Sequence, residues 1–447
     1  MKERASGGDG PAYAAVRIAV ACGAVTLAAL AFSPLDLSAE LPPVARGVSW
    51  VVFATLAMRT ALWLGYRPVP PAQDDAALPT LTVVVPAYNE GPGVAETLAS
   101  ILASDYPPDR LHVIAVNDGS RDDTGHHLDL AQLRLGARLT VIHLPQNRGK
   151  RHALFAGFSQ ATSALIATVD SDSRVRPDTF RNLVAPFAVE PRTAGVAGQV
   201  RVWNRRRNLL TRMLHVRYLL GFDFIRASQS QLATVWCCPG ALQCYRREVV
   251  APHLIAWRDQ RFLGARCNNG DDHAMTTLVL SLGHDVRFQQ SAAVETLVPA
   301  TYPGLCRMYV RWARSATREG LRALRTVPRR AVSLGPWRGP LMAADAVLQP
   351  TSVLLRVSAV PLSLWLLATE PLWLVQSLFA GALFGVFYGL IYLRSERSWD
   401  FLYGILYGWF ALLALWWIQP FATLTVRSSR WLTRGDPPSP QAPPPPA

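Results

Sequence analysis

The clearest pattern in this chain is a series of four short apolar runs, rich in β-branched residues, separated by polar segments and by stretches of helical periodicity. Continuous apolar runs of this length are typical of strands buried on both faces of a parallel sheet. Their alternation with helices predicts a doubly wound α/β fold. The predicted strands are Leu81–Val85, Leu111–Val116, Arg138–Leu144 and Leu165–Val169, and the predicted helices include Val94–Ala103 and Ala153–Gln160.

Each predicted strand ends in a polar cluster. Ligands of doubly wound sheets bind outside the carboxyl ends of the strands, so we expect these clusters to meet in one crevice. The clusters are Pro86–Glu90, Asn117–Ser120, Pro145–Arg151 and Asp170–Ser173.

The last cluster carries two aspartates, Asp170 and Asp172, one residue apart. Strand periodicity places both side chains on the same side, with Ser171 opposite. Two adjacent carboxylates suit Mg²⁺ or Mn²⁺, which complete their coordination with water and substrate phosphates. The pair therefore indicates a metal-bound diphosphate, against the alternative that these residues only form a turn.

The other clusters supply groups that suit the rest of a nucleotide. Tyr88 can stack on a base, and Asp118 can accept hydrogen bonds from a uracil or ribose. Lys150 can neutralise a phosphate as a point charge. The simpler alternatives are that Asp118 belongs only to a turn and that Lys150 is a solvated surface residue.

A third pair of acids, Asp271 and Asp272, precedes a predicted helix over Ala274–Leu282. One of them is a candidate general base that takes a proton from an attacking hydroxyl. Acidic residues at a helix N-terminus also occur simply as caps that the helix dipole favours.

Two further segments combine arginine with apolar residues. In Arg307–Arg318 the pair Arg311 and Trp312 suits a diphosphate and a stacked sugar, although a membrane-surface helix has the same composition. The segment Arg205–Arg226 predicts a basic amphipathic helix, either on a membrane surface or packed against the core.

Apolar residues are concentrated at both ends of the 447-residue chain, and half of all residues are hydrophobic. A bilayer crossing needs about 20 apolar residues. We therefore expect two N-terminal transmembrane helices within residues 1–70, a soluble α/β domain with interfacial helices over 71–330, a C-terminal transmembrane region over 331–435, and a disordered Pro-rich tail over 436–447. The candidate spans are Tyr13–Leu35, Val48–Tyr66, Leu354–Leu367, Leu372–Tyr392 and Phe401–Thr425.

The formal charge of +14 is carried almost entirely by arginine, since Lys2 and Lys150 are the only lysines. The apolar ends and the lack of a nucleic-acid-binding motif argue against nucleic acid as the partner. Basic residues near membrane spans and an anionic nucleotide substrate explain the charge instead. The spacing of the six cysteines favours neither zinc nor a disulfide framework.

Taken together these motifs resemble the membrane-embedded family 2 glycosyltransferases, especially the hyaluronan synthases and the nodulation-type chitin-oligosaccharide synthases. The resemblance covers Leu81 to Arg318, with a further match near the C-terminus. Its motifs are Val85–Glu90, Asn117–Ser120, Asn147–Ala153, Asp170–Asp172, Pro239–Gly240 with Tyr245–Arg247, Gly270–Asp272, Arg311–Trp312 and Trp431–Arg434.

This resemblance implies a GT-A fold, UDP-sugar donors and inversion at the anomeric carbon. It implies that Asp272 is the catalytic base and that Asp172, with Asp170, binds Mg²⁺ or Mn²⁺. The substrate-binding residues that it implies are Tyr88, Glu90, Asp118, Lys150, Arg151, Asp170, Asp271, Arg311, Trp312 and Trp431.

Three positions depart from the family motifs. Met308 replaces a usual Gln, His273 a common Arg, and Leu432 a usual Gly. These changes leave glycosyl transfer as the expected reaction.

The expected function is processive, inverting synthesis of hyaluronan from UDP-GlcNAc and UDP-glucuronate, with export of the growing polysaccharide through the chain's own helices. The catalytic domain would face the cytosol from a multi-pass position in the plasma membrane. The alternatives are a chitin-oligosaccharide synthase that uses UDP-GlcNAc alone, a lipid-linked single-sugar transferase, and a non-catalytic export or scaffold subunit. Basic segments at Arg394–Arg397 and Arg427–Arg434 should both be cytosolic, which requires an extra crossing or a re-entrant turn in Leu341–Leu367 or Phe401–Thr425.

Overall fold

The computed structural model describes residues 43–369, 385–387, 389–393, 396 and 398–428. The expected span Tyr13–Leu35, most of Leu372–Tyr392, the motif Trp431–Arg434 and the Pro-rich tail lie outside these residues. Ten strands are present in the described part: β1 Leu81–Ala87, β2 Leu111–Asn117, β3 Leu139–His143, β4 Leu165–Val169, β5 Ser173–Val175, β6 Thr193–Val202, β7 Leu242–Arg246, β8 Arg261–Phe262, β9 Ala265–Arg266 and β10 Asp285–Thr296.

The helices surround the main sheet and continue beyond it toward the C-terminus. They are α1 Pro43–Gly65, α2 Gly93–Leu102, α3 Thr124–Leu135, α4 Lys150–Gln160, α5 Thr179–Val189, α6 Leu209–Leu219, α7 Arg226–Gln231, α8 Arg247–Val250, α9 Leu254–Arg258, α10 Asp271–Ser281, α11 Tyr302–Ala323, α12 Val327–Ser333, α13 Gly335–Thr369, α14 Leu402–Ala414 and α15 Ile418–Leu424.

Eight strands form one mixed sheet in the order β3-β2-β1-β4-β7-β6-β10-β5. The first four strands in this order are parallel, as the sequence predicts. The second half departs from a purely parallel doubly wound sheet, because β7 is antiparallel to both β4 and β6, and β5 is antiparallel to β10. The strand order reverses direction around β1 and β4, which places a ligand crevice at their carboxyl ends.

Alternate residues of the central strands enter two different hydrophobic clusters, one on each face of the sheet. In β1, Val83 and Val85 pack on one face and Val84 on the other. In β2, Val113 and Ile114 divide in the same way. Burial on both faces explains why these strands are continuous apolar runs in the sequence.

The segment predicted as a basic amphipathic helix is α6, followed by a π-helical turn over Leu220–Ile225 and then α7. Met213, Leu214 and Tyr218 are buried in the main core, and α6 contacts β6 and α14. This favours the core-packing alternative for the segment. π-helical turns occur frequently at functional sites. Residues of this turn, among them Phe222 and Ile225, line the large cavity at the carboxyl ends of the central strands.

Among the described residues, no single helix combines the length and the apolar character that a bilayer crossing requires. One pair of helices, Trp399–Ala414 and Ile418–Leu424, meets the requirement jointly but is bent by 49°. The bend lies within the predicted span Phe401–Thr425, where the sequence allows a re-entrant turn.

Candidate active site

The polar clusters at the carboxyl ends of the strands open into a single cavity of about 1000 Å³. This cavity brings together residues that lie as far apart in the chain as Tyr88 and Trp312. Its lining includes nine of the predicted site residues: Tyr88, Asp118, Lys150, Asp170, Asp172, Asp271, Asp272, Arg311 and Trp312.

The turn after β4 places Asp170 and Asp172 in the cavity lining. The strand ends at Val169, so the two side chains share a side because of the turn and not because of strand periodicity. Ser171 lies between them and donates a 2.6 Å hydrogen bond to Glu90 Oε1. Glu90 was expected to bind substrate, but the structure places it outside the cavity lining, where it holds this turn.

The donor atoms at this turn fit a divalent cation. Asp172 Oδ1 accepts two long hydroxyl hydrogen bonds, at 3.4 Å from Ser173 and 3.5 Å from Thr296. No group of three or more His, Cys, Asp or Glu side chains that could hold a metal occurs within the described ranges. A cation at Asp172 and Asp170 would therefore need substrate phosphates and water to complete its shell, as Mg²⁺ and Mn²⁺ commonly do.

Asp118 follows β2 and is buried. Its two carboxylate oxygens accept backbone N–H hydrogen bonds at 2.9 Å, one from Arg148 and one from Gly149. Burial raises the pKa of Asp118 to about 6, although both hydrogen bonds act to lower it. Asp118 thus fixes the loop that leads directly into Lys150.

Lys150 is the first residue of α4, and its Nζ donates to Asp170 Oδ1. Burial acts to lower the pKa of Lys150, but the carboxylates of Asp170, Asp271 and Asp272 together raise it above its ordinary value. The ammonium lies against Gly240, where a Cβ atom would be only 2.9 Å from Nζ. A fixed cation therefore stands in the cavity lining. Because the three carboxylates would repel an anion, a diphosphate would need Arg311 and a divalent cation as well as Lys150.

Gly270 allows the two acids of α10 to reach the cavity. It has a left-handed φ of +73°, and a Cβ atom there would lie 2.0 Å from Ser315 Oγ on α11. The first turn of α10 carries Asp271 and Asp272. The close contact between Gly270 and α11 brings this turn beside Arg311.

The two acids of α10 have different environments. Asp271 is buried, its Oδ2 has no hydrogen-bond partner among the described residues, and burial raises its pKa. Asp272 Oδ1 accepts the N–H of His273 at 2.8 Å, and its Oδ2 lies 3.9 Å from Cys237 Sγ. One oxygen of Asp272 thus accepts a backbone N–H in the first turn of α10. The side chain of Asp272 also lines the cavity.

Arg311 and Trp312 lie on α11, and the charge of Arg311 interacts with the two acids of α10. Burial lowers the pKa of the Arg311 guanidinium, and the carboxylates of Asp271 and Asp272 oppose that shift. The Trp312 ring is 42% exposed and lies 5.6 Å from the ring of Tyr309. A partly exposed aromatic face beside a half-buried guanidinium suits a sugar diphosphate.

Arg151 does not occupy its expected place. It is 1% exposed and does not line the cavity. Its guanidinium donates to Trp257 O at 3.1 Å and to Gln260 Oε1 at 2.8 Å, so it ties α4 to the α9 region. Trp431, also expected to bind substrate, lies outside the described residues.

Arg226 and Cys237 are among the cavity-lining residues that the sequence did not predict as site residues. Arg226 donates from Nε to Cys237 O at 2.9 Å and from Nη1 to Gly221 O at 3.0 Å. Cys237 directly precedes the Cys238-Pro239-Gly240 segment, so the Pro-Gly motif was a signal for it. No comparable signal marks Arg226.

The chain is similar to known proteins in both sequence and fold. The sequence model described as "Glycosyltransferase like family 2" matches residues 79–315, just over half of the chain. The chain is also similar to a mannosyltransferase from Pyrobaculum calidifontis in complex with GDP-Man and Mn²⁺, with a TM-score of 0.50 and 22% identity over 88% of this chain and 99% of the other. This likeness shows the GT-A fold.

Curated relatives match over most of their length. An N-acetylglucosaminyltransferase from Azorhizobium caulinodans is 31% identical over 80% of this chain and 87% of its own, and one from Rhizobium meliloti is 33% identical over 80% and 82%. A hyaluronan synthase from Streptococcus pyogenes is 28% identical over 87% of this chain and 90% of its own. On the family match and these identities, the chain belongs to glycosyltransferase family 2 and is an enzyme of the GT-A fold.

Proposed function

We propose that this enzyme transfers N-acetylglucosamine from UDP-GlcNAc to the end of a growing β-linked polysaccharide, with inversion at the anomeric carbon. The observation that carries the proposal is the single cavity lined by Asp118, Asp172, Asp272 and Trp312. The relatives named as N-acetylglucosaminyltransferases support the choice of sugar.

Asp272 is the proposed general base. Its carboxylate takes the proton from the acceptor hydroxyl as the oxygen attacks the anomeric carbon. Asp271 is the only other acid on α10 that lines the cavity, and it is buried with a raised pKa. A single direct displacement follows from one base acting on one hydroxyl, and it inverts the configuration.

The leaving UDP is held by other residues of the same cavity. Tyr88 and Asp118 bind the uridine, while Lys150 and Arg311 compensate the charge that grows on the diphosphate. A Mg²⁺ or Mn²⁺ ion bound by Asp172 and Asp170 would supply further stabilisation of that charge. Trp312 provides an aromatic face for the acceptor sugar.

Two polymers are candidates. The hyaluronan-type reaction uses UDP-glucuronate as a second donor, and the Streptococcus pyogenes relative supports it. The chitin-type reaction uses UDP-GlcNAc alone, and the N-acetylglucosaminyltransferases, at 31% and 33% identity, give it comparable support.

We further propose that the enzyme is a multi-pass protein of the plasma membrane with its catalytic domain in the cytosol, where UDP-sugars are made. The helices that flank the catalytic domain would carry the polysaccharide across the bilayer. The apolar ends of the sequence and the bent pair α14–α15 support this arrangement.

The test is to incubate the purified enzyme and Mg²⁺ with radiolabelled UDP-GlcNAc, with and without UDP-glucuronate, and to digest the product with hyaluronidase or chitinase. A polymer that needs both donors identifies hyaluronan synthesis, and a chitinase-sensitive product from UDP-GlcNAc alone identifies the chitin reaction. Asp272→Asn should make no product in either mixture. Asp259→Asn, at an exposed carboxylate outside the cavity, is its matched control. An enzyme that makes no product from either mixture contradicts the proposal and favours a non-catalytic subunit.

A further inference from the structure

Asp345 on α13 is a buried carboxylate at the centre of a four-bond cluster. Arg59 on α1 donates to its Oδ1 from Nε at 2.9 Å and from Nη2 at 2.6 Å. Gln229 Nε2 and Trp236 Nε1 donate to its Oδ2 at 3.1 Å and 2.9 Å. Asp345 is 1% exposed, so both oxygens are satisfied away from solvent. We call these four residues the Asp345 cluster.

The Asp345 cluster connects distant parts of the chain to the active-site cavity. Gln229 on α7 and Trp236 in the segment before β7 both line that cavity. Trp236 directly precedes Cys237, whose Sγ lies 3.9 Å from Asp272 Oδ2. The carboxylate of Asp345 therefore fixes a part of the cavity lining that is one residue away from a contact with the proposed base.

Only a carboxylate can satisfy all the donors of the Asp345 cluster at once. Asn at position 345 would keep one acceptor oxygen, but its NH₂ group would face donors where Oδ2 or Oδ1 now accepts. The guanidinium of Arg59 would also lose its counter-charge, which is costly at a mostly buried position. The indole and the amide would then lose their fixed orientation.

We propose that Asp345 is a positioning residue for glycosyl transfer: it ties α1 and α13 to the cavity lining and fixes Trp236 and Gln229 in the lining of the cavity that also holds the catalytic base. The inference rests on the proposed function, because it assigns the fixed lining a role in placing the acceptor sugar. It makes the two flanking helices part of the catalytic arrangement. It also explains why a buried charge, which is unfavourable in an apolar region, is kept at Asp345: Arg59 balances the charge, and the carboxylate orients Trp236 and Gln229.

A second buried ion pair provides the matched control. Arg330 on α12 donates to Asp285 Oδ1 at 3.1 Å, and both side chains are buried. Neither residue lines the cavity. Arg330 also donates to Ala233 O and Thr234 Oγ1, and these acceptors remain in Asp285→Asn. Asp285→Asn therefore removes a comparable buried charge while it leaves the bonds of Trp236 and Gln229 to Asp345 in place, and it separates a positioning role from a loss of folding.

The experiment measures kcat for GlcNAc transfer per folded molecule and the Kd of UDP for the full chain. Asp345→Asn should lower kcat about tenfold or more, because small misplacements near the reacting atoms are costly, while the Kd of UDP stays within about twofold of wild type. Trp236→Phe removes the indole N–H and should lower kcat in part. The double variant should be no slower than Asp345→Asn, since residues that act as one unit are not additive.

The proposal is overturned if Asp345→Asn keeps the wild-type kcat, if Asp285→Asn loses as much, or if UDP affinity falls in parallel with kcat. A wild type that transfers no sugar refutes the proposed function instead. In that case alkylation of Cys237 by N-ethylmaleimide decides the positioning role, because Cys237 is the one partly exposed cysteine among those described. Faster labelling in Asp345→Asn but not in Asp285→Asn supports the role, and equal labelling of all three proteins contradicts it.

Discussion

Replacing Asp118 by Asn should weaken UDP binding without lowering the stability of the fold. The carboxylate accepts two backbone N–H bonds at 2.9 Å, from Arg148 and Gly149. An amide can accept only one of them and turns its NH₂ group toward the other donor. In the proposed complex Asp118 also accepts a hydrogen bond from the uridine, and loss of a hydrogen bond to a charged group is worth about 1.5–3 kcal/mol, so the Kd of UDP should rise by about one to two orders of magnitude.

The stability of the same variant follows from the raised pKa of Asp118. Burial raises this pKa from 3.8 to about 6. Above pH 6, where Asp118 is ionised, a rise of that size lowers the free energy of unfolding by about 3 kcal/mol. The contribution of protonated Asp118 to stability is fully present below pH 3.8, where Asp118 is protonated in both the folded and the unfolded chain. It is lost as the pH rises through 6. Asn carries no charge, so the variant should unfold at or above the wild-type temperature at pH 7.5 and should lack this pH dependence.

Calorimetric titration of UDP and thermal unfolding between pH 4 and 8 measure both quantities. Asp122→Asn is the matched control, because Asp122 is exposed in the adjacent turn. Burial acts to raise its pKa, but the hydrogen bonds from Thr124 and Gly91 outweigh this and lower it. Its contribution to stability is therefore present above its ordinary pKa and lost in acid. Wild-type UDP affinity in Asp118→Asn, or a loss of affinity that only follows unfolding, would show that Asp118 does not bind the uridine.

Three further outcomes follow from the site. Asp272→Asn should abolish transfer while the Kd of UDP changes by less than about threefold, and normal turnover would remove Asp272 as the base. Asp172→Asn should raise the Mn²⁺ concentration needed for half-maximal UDP binding, and a titration identical to wild type would exclude Asp172 as a ligand. Gly270→Ala should lower the unfolding temperature and the transfer rate, because its Cβ would clash with Ser315. Adding Ser315→Gly to the same chain should restore part of both. Equal defects in the single and double variants would argue against this contact.

The central strands and the loops that follow them were predictable because burial on both faces leaves a distinctive sequence. The predicted strand Leu81–Val85 is observed as Leu81–Ala87, and the cluster after it enters the cavity. Strand β10 was not predicted, since Asp285, Arg287 and Gln289 interrupt its apolar residues. Its neighbours β6 and β5 are also remote in the chain, so the mixed half of the sheet depends on contacts that local pattern does not encode.

Motifs located the site but did not determine where each side chain points. Lys150 and Arg151 are adjacent on α4, and successive residues of a helix project about 100° apart. Lys150 therefore faces the cavity while Arg151 is buried against Trp257 and Gln260. The pairing of Asp345 with Arg59 spans 286 positions and could not be read from either residue alone.

We propose that acidic and cationic side chains from distant parts of the chain bind one metal-bound UDP-sugar in a shared cavity. An experimental structure of Asp272→Asn with UDP-GlcNAc and Mn²⁺, recorded at the manganese absorption edge, tests it most directly. We expect an anomalous peak within about 2.5 Å of an Asp172 oxygen, with uracil beside Tyr88 and Asp118 and the anomeric carbon facing residue 272. A manganese peak elsewhere, or a nucleotide bound outside this cavity, would contradict it.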